Sequence, residues 1–288
     1  MTTLSLTYYP DITQGTPDSE VRKAIIDFSN ALASQLSEDL GTKIEIEVPP
    51  VMSVPDQYKD IVSGQSHIGL MKPVAYIFAH EADPRIVPAC VAHRPIDGRV
   101  GTFYFTQVYA RTELGFKTLE DLVAHGPGKL TIAYGDRFST SNFLIPASLL
   151  KENSIHPFLF FKSILFAGGH DKAAEAVYEG KADVGAGHDG VIKILADTQP
   201  DATEKLIQLG RENIHSDPVV VHTGILPDPV TLESIQSACE MVAKTEVGKE
   251  TLDLFWGWVK DLSRTEHGNY ASIEKALTRL GLTASDML

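Results

Sequence analysis

The stretch Leu130-Thr131-Ile132-Ala133-Tyr134-Gly135-Asp136-Arg137-Phe138-Ser139-Thr140-Ser141-Asn142-Phe143-Leu144-Ile145-Pro146 changes character twice along its length. Residues 130–134 are an apolar run of strand length, 135–142 are mostly small and polar, and 147–151 read as a helix ending before Asn153. Three consecutive hydroxyl residues at a helix start bring side-chain donors beside main-chain N–H groups that lack intrahelical partners, at the positive end of the macrodipole. Such a turn suits a small oxyanion. The alternative for Ser139 or Thr140 is a plain N-cap, whose hydroxyl oxygen accepts a main-chain N–H and serves no ligand.

Upstream of this turn, strand-like and helix-like segments alternate. Residues 4–8 predict a strand and 9–17 a polar loop, whose end, Thr16-Pro17-Asp18, reads as a helix start. Val21, Ala24, Ile25, Phe28, Leu32 and Leu36 then recur at helical spacing, with Gly41 as the stop, and 44–48 alternate apolar and charged. This β-α-β order is the unit of a parallel sheet. A short helix at 56–62, a strand at 68–71, a helix at 73–80 and strands at 86–91 and 103–110 follow. From Leu119 the vocabulary starts again, with helices at 119–125 and 172–178 around the opening stretch and a strand at 183–186. Gly64-Gln65-Ser66-His67-Ile68-Gly69 and Gly180-Lys181-Ala182-Asp183-Val184-Gly185 share a pattern at a helix–strand junction, as two α/β lobes built alike would produce. After a strand at 218–221 the chain reads as helical at 232–244, 250–262 and 273–280. Leu252, Phe255, Trp256, Val259 and Leu262 form a core-facing stripe there.

With 288 residues, 43% hydrophobic and 22% charged, the chain has the composition of a globular protein with room for two lobes of about 100 to 150 residues. Lys and Arg total 25 against 38 Asp and Glu, a net charge of -13, which argues against a sequence-independent nucleic-acid or anionic-membrane surface. Any anion must be held by local donors. Cys90 and Cys239 match no metal spacing; buried thiols are the expectation and a single disulfide the alternative. There is no run of about 18 apolar residues. Met1-Thr2-Thr3 directly precedes the first strand, so no signal peptide is expected in this sequence, and either a removed leader or action in the cytosol accounts for that.

Other chemistries fit these residues less well. Gly185-Ala186-Gly187-His188-Asp189-Gly190 fits the dinucleotide fingerprint, but a single further strand, at 218–221, is too few for a nucleotide domain. Gly128-Lys129 lacks the rest of a P-loop. His170-Asp171, His188-Asp189, His215 and Asp217 have no metal-ligand spacing, so no metal and no cofactor are expected. Ser141, His170 and Asp189 suggest a hydrolytic triad by type alone, without a nucleophile elbow, and no catalytic residue is expected. Gly168-Gly169-His170-Asp171 is instead a second helix start with an imidazole donor: a capping turn by itself, an anion site beside Ser139, Thr140 and Ser141.

Gly135-Asp136-x-x-Ser139-Thr140-Ser141-x-Phe143-Leu144-x-Pro146 closely resembles the anion-binding segment of the phosphonate and phosphite substrate-binding proteins of ABC transporters. The resemblance extends from the first strand through Asp217 and weakens beyond. It implies a two-lobed type 2 periplasmic-binding-protein fold, α/β in class, with a ligand cleft between lobes. Lobe 1 is expected to comprise 1–108 plus 216–288, with the C-terminal helices, and lobe 2 to comprise 109–215. It further implies that Ser139, Thr140 and Ser141 hold ligand oxygens, that His170 donates to the anion, that Asp217 accepts from a protonated ligand oxygen or amine, and that Tyr104 is a first-lobe aromatic closing over the ligand. Members that recognise an aminoalkyl group carry an acid where this chain places Gly190, with Asp189 one residue earlier, and Met71-Lys72 replaces an aromatic. The function implied is non-catalytic capture of a small phosphorus oxyanion for an ABC permease, by a periplasmic monomer with no nucleic-acid partner. The alternatives are a same-fold cytosolic or sensory anion-binding protein and an enzyme acting on a small phosphorylated substrate.

Overall fold

The computed structural model describes residues 1–10, 16–96 and 99–288. Most of the polar loop expected at 9–17 lies outside the described residues. The chain runs β1 (Thr2–Tyr8), α1 (Asp18–Leu40), β2 (Ile44–Glu47), α2 (Val54–Val62), β3 (Ile68–Leu70), α3 (Pro73–Ala82), β4 (Ile86–Ile96), β5 (Arg99–Gly101) and β6 (Phe103–Arg111). Next come α4 (Leu119–His125), β7 (Thr131–Tyr134), α5 (Ile145–Glu152), β8 (Ser163–Phe166), α6 (His170–Tyr178), β9 (Val184–His188), α7 (Val191–Ala196), α8 (Ala202–Lys205) and β10 (Leu206–His215). The chain closes with β11 (Pro218–His222), α9 (Leu232–Val242), α10 (Glu246–Trp256), β12 (Asp261–Arg264), α11 (Ala271–Leu280) and α12 (Ala284–Met287).

Two compact units divide these elements. The first comprises Met1–Phe103 and His215–Ala271, with Leu288. Its sheet has the order β12-β4-β11-β3-β1-β2, with β5 on β4; β1 runs parallel to β2 and β3, while β11 is antiparallel to β3 and β4. Helix α1 buries the stripe read from its spacing, Val21, Ile25, Phe28, Leu32 and Leu36, and ends at Gly41, whose φ of 61° is the left-handed conformation that glycine adopts without strain. Thr251 Oγ1 of α10 donates to the Ala24 carbonyl of α1 at 3.0 Å.

The second unit comprises Tyr104–Ile214 and Ser272–Met287, with sheet order β10-β6-β9-β7-β8. β7 is parallel to β8 and β9, and β6 is antiparallel to β9. Tyr109, Ala133, Ala173, Ala174, Val177 and Val191 belong to its buried core. The division differs from the one expected at 108/109 and 215/216, because β6 pairs with β9 from Thr106 to Ala110 and so belongs to this unit almost from its start. The C-terminal segment 272–287 also lies here rather than in the first unit. Arg279 of α11 donates to Ser148 Oγ at 2.7 Å and pairs with Glu152 at 3.1 Å, both on or beside α5.

Besides β8, for which no strand was expected, three strands depart from the sequence reading. β10 follows the Gly185–Gly190 region where one strand only was expected; its buried residues Leu206, Leu209 and Ile214 do not alternate, so the period-2 signal is missing. The helix read at 250–262 stops at Trp256, where Gly257 at φ 67° and Trp258 at φ 56° turn the chain, and Leu262 falls in β12. β5 is short and exposed at Arg99 and Val100.

The paired Gly-x-x-polar-branched-Gly segments occupy equivalent places. Gly64 and Gly180, at φ 75° and 76°, reverse the chain after α2 and α6. Their N–H groups donate to Ile61 and Val177 carbonyls, both at 3.1 Å, and the next residues donate to Asp60 at 3.1 Å and Ala176 at 2.8 Å. The second glycine of each pair is a packing requirement, since a Cβ on Gly69 would lie 2.7 Å from Ile61 Cδ1 and one on Gly185 2.5 Å from the Tyr109 ring. Gly185→Ala is therefore expected to destabilise the protein by about 1 to 3 kcal/mol through overpacking, read as a fall of roughly 2 to 4 °C in Tm per kcal/mol. Gly268→Ala, where an added Cβ meets nothing, should leave Tm nearly unchanged in the same thermal denaturation.

Candidate functional site

Ser139 caps the turn after β7: its Oγ accepts from Asn142 N at 2.9 Å. The N-cap reading thus describes Ser139 itself, whose hydroxyl hydrogen remains a donor. Winding starts directly after it, earlier than the helix expected at 147–151, in a turn wider than an α-helix in which Leu144 N reaches Ser139 O at 3.1 Å. Thr140 and Ser141, both buried, sit in this turn. Thr106 Oγ1 of β6 fixes it from the side by donating to Ser141 O at 2.5 Å and Gly187 O at 3.2 Å.

A close main-chain approach joins this turn to the next. Gly135 N donates to Asn142 Oδ1, and Gly168 N donates to Gly135 O at 2.7 Å. A Cβ on Gly135 would come within 2.7 Å of Gly169 C and O, so only glycine lets the end of β7 meet the start of α6. His170 opens α6 with Gly169 as its cap, and its Nε2 lies 3.5 Å from Ser141 Oγ. The other ring nitrogen, Nδ1, accepts from His188 N at 3.1 Å. With Nδ1 an acceptor, the neutral imidazole carries its proton on Nε2 and presents an N–H on the Ser141 side.

His188 ends β9, buried, with its ring centroid 4.9 Å from that of His170. Asp189, half-buried, follows it with its N donating to Phe105 O at 3.0 Å, and Gln107 Nε2 donates to the carbonyls of His188 and Asp189 at 3.1 and 3.2 Å. Ser139, Thr140, Ser141, His170 and Asp189 are therefore all in the second unit. Tyr104 is there too, as its first residue and half-buried, and not in the first unit as expected. The glycines of the 185–190 region do not build a dinucleotide turn: Gly185 and Gly187 lie inside β9, where Gly185 admits the Tyr109 ring and Gly187 admits Val191. Among the described residues no group of three His, Cys, Asp or Glu side chains is placed to hold a metal, and no helix is long and apolar enough to cross a membrane.

Asp217 is in the first unit, just before β11, and has a partner that the sequence did not reveal. Arg94 of β4, itself buried, donates through Nη2 to Asp217 Oδ2 at 2.6 Å, through Nε to Ser216 Oγ at 3.0 Å and through Nη1 to the Trp256 carbonyl at 2.8 Å and that of Gly257. The signal available was indirect: a buried carboxylate requires a cation or several donors. Beside it, His215 Nε2 meets Thr265 Oγ1 at 2.9 Å and its ring stands edge-on to Tyr270 at 4.7 Å. Burial, with the nearby His93 adding to it, pulls the His215 pKa down to about 4. Cys90 and Cys239 are free, buried thiols.

Two α/β units, one of them gathering hydroxyl and imidazole donors at two helix starts, define the class of two-lobed solute-binding proteins. The chain belongs to the phosphonate periplasmic substrate-binding protein family of ABC transporters, whose model matches residues 19–270. The resemblance read from the Ser139-Thr140-Ser141 segment is thus borne out at the level of family and function, a substrate-binding component of phosphonate transport. Solved structures share the fold at low identity. PhnD1 from Prochlorococcus marinus (MIT 9301), in complex with methylphosphonate, is 19% identical with a TM-score of 0.70, covering 97% of this chain and 98% of that one. The binding component of a Pseudomonas aeruginosa ABC phosphonate transporter is 17% identical, TM-score 0.64, covering 96% and 86%. A Xanthomonas citri protein bound to ATP is 15% identical, TM-score 0.72, covering 97% of each chain. No curated protein matches the sequence.

Arg94→Met leaves the Asp217 carboxylate buried without its guanidinium and is expected to cost about 3 to 5 kcal/mol of stability in chemical denaturation. Adding Asp217→Asn to it should recover part of that loss, since the stranded charge is then gone. His215 sets a pH dependence. Its folded pKa lies below the unfolded value of about 6.5, so the unfolded chain binds the extra proton first as pH falls. Its contribution is complete above about 6.5 and is lost progressively down to about 4. Replacing it in His215→Gln should flatten the Tm–pH curve across that window and leave the region above pH 7 the least altered.

Proposed function

We propose that the protein captures a small phosphorus oxyanion, phosphite or an alkylphosphonate, through Ser139, Thr140, Ser141 and His170, and delivers it to an ABC permease without transforming it. The observation that carries this reading is the pair formed by Ser141 Oγ and His170 Nε2, 3.5 Å apart, with the imidazole proton fixed on Nε2 by the His188 N–H at Nδ1. Both groups can then donate to one anion. The same tautomer argues against a triad, because a nitrogen that already bears a proton cannot take one from Ser141, and the group at Nδ1 is a main-chain N–H rather than a carboxylate.

On the strength of the family resemblance, Asp217 is proposed as the acceptor for a protonated ligand oxygen, Tyr104 as an aromatic contact and Asp189 as a polar contact. The Arg94 bond to Oδ2 supports this use of Asp217 by fixing the carboxylate's orientation. Work as a monomer in the periplasm is part of the same proposal. Four charge-assisted hydrogen bonds at about 1.5 to 3 kcal/mol each come to about 6 to 12 kcal/mol before desolvation and ordering are subtracted, the range that contains the roughly 8 kcal/mol of a micromolar complex.

Titration calorimetry with phosphite, methylphosphonate, 2-aminoethylphosphonate, phosphate and sulfate tests the reading. Phosphite or methylphosphonate should bind tightest, and Ser141→Ala should weaken that ligand by about 1 to 3 kcal/mol with an unchanged unliganded Tm. Sulfate binding tightest, or equal affinity of parent and variant, would overturn it.

A further inference from the structure

We infer that His188 is a second imidazole donor to the bound anion; this deepens, and rests on, the phosphorus-oxyanion reading above. Two roles converge on this one residue. Its main-chain N–H fixes the tautomer of His170, and its own Nδ1 accepts from Gly190 N at 3.1 Å. By the same logic as for His170, the neutral His188 ring carries its proton on Nε2. Two rings with centroids 4.9 Å apart and planes 46° apart thus both offer N–H donors, and the Nε2 of one already lies beside Ser141.

Gly190 explains why the ring can sit there. Its φ of −85° and ψ of −10° suit any residue, so backbone freedom is not the reason for glycine. A Cβ at position 190 would instead lie 3.3 Å from His188 Nδ1 and 3.4 Å from Cε1. An added Cβ at 190 would therefore press on the ring and require it to give by a few tenths of an ångström. Burial of His188 supports a fixed role, since an imidazole kept in place by a main-chain hydrogen bond loses little further freedom when a ligand arrives.

The test uses two substitutions that keep opposite halves of the imidazole. In His188→Asn the amide oxygen stands near Nδ1 and can still accept from Gly190 N, while the ε donor is lost. In His188→Gln the amide nitrogen stands near Nε2 and the δ acceptor is lost. Calorimetry on the full chain with methylphosphonate and 2-aminoethylphosphonate should show His188→Asn weakening methylphosphonate about ten- to hundredfold. His188→Gln should recover about tenfold of that loss. Unchanged affinity in His188→Asn, or a loss in His188→Gln equal to or larger than that in His188→Asn, would overturn the inference, leaving the ring as a brace for the Gly190 turn. Parent and Ser141→Ala run alongside separate the two readings. A parent that binds neither ligand strikes the phosphorus-oxyanion reading itself, whereas a parent that binds, a Ser141→Ala that loses affinity and a His188→Asn that does not strike His188 alone.

Discussion

The candidate site depends on a main-chain contact with no room for a side chain. Gly168 N donates to Gly135 O at 2.7 Å, and Gly135 has Gly169 so near that a Cβ would overlap it. That contact sets the distance between the turn after β7 and the start of α6, and from it follows the 3.5 Å between Ser141 Oγ and His170 Nε2. Thr106 and Asn142 hold the first turn, and His188 N holds the second. The Ser139 and His170 side chains are thus oriented by main-chain N–H groups of a turn and a neighbouring strand, which move less than long side chains do. Preorganisation of this kind lowers the ordering cost of binding.

The same economy appears in both units away from the site. A helix is reversed by a left-handed glycine, a polar residue follows, and a strand begins whose own glycine lies against a large side chain, Ile61 in the first unit and the Tyr109 ring in the second. The pattern was visible in the sequence because its glycines answer to hard steric limits. Steric requirements leave a residue-type signature; hydrogen-bond requirements often do not.

That contrast accounts for what the sequence made legible. The Ser139-Thr140-Ser141 turn, the α1 stripe and its Gly41 stop, and the start of α6 could be read because periodicity and capping restrict residue types. β10 was hidden by its broken alternation. The end of α10 was hidden by an apolar stripe that runs on, through Val259 and Leu262, past a turn into another strand. Placing Tyr104 in the wrong unit had a related cause: β6 looks alike along its whole length, and only its pairing with β9 assigns it. Arg94 and Asp217 are 123 positions apart, and nothing local marks either as the other's partner. In the sequence His188 belongs to a glycine fingerprint and to a His-Asp pair without metal spacing, and nothing there marks it as a donor, because the tautomer of a histidine is decided by which main-chain N–H faces it.

The charge balance gives these local groups their importance. The chain carries a net charge of -13, which taken as a whole repels an anion. At physiological ionic strength that repulsion is screened over about 8 Å, so within the site the nearest dipoles decide. At the turn after β7 and the start of α6 they are hydroxyl and neutral imidazole donors, while the buried Arg94 guanidinium is committed to Asp217 and three other oxygens. A site of neutral donors binds an anion less tightly than a guanidinium clamp, because it gains no full Coulomb attraction, but it also leaves no buried charge stranded when the ligand departs. Reversible release is what a transport receptor requires of its site. In the first unit the Arg94–Asp217 pair follows the opposite rule, since there a buried carboxylate is matched by a full cation and its orientation is fixed by that bond.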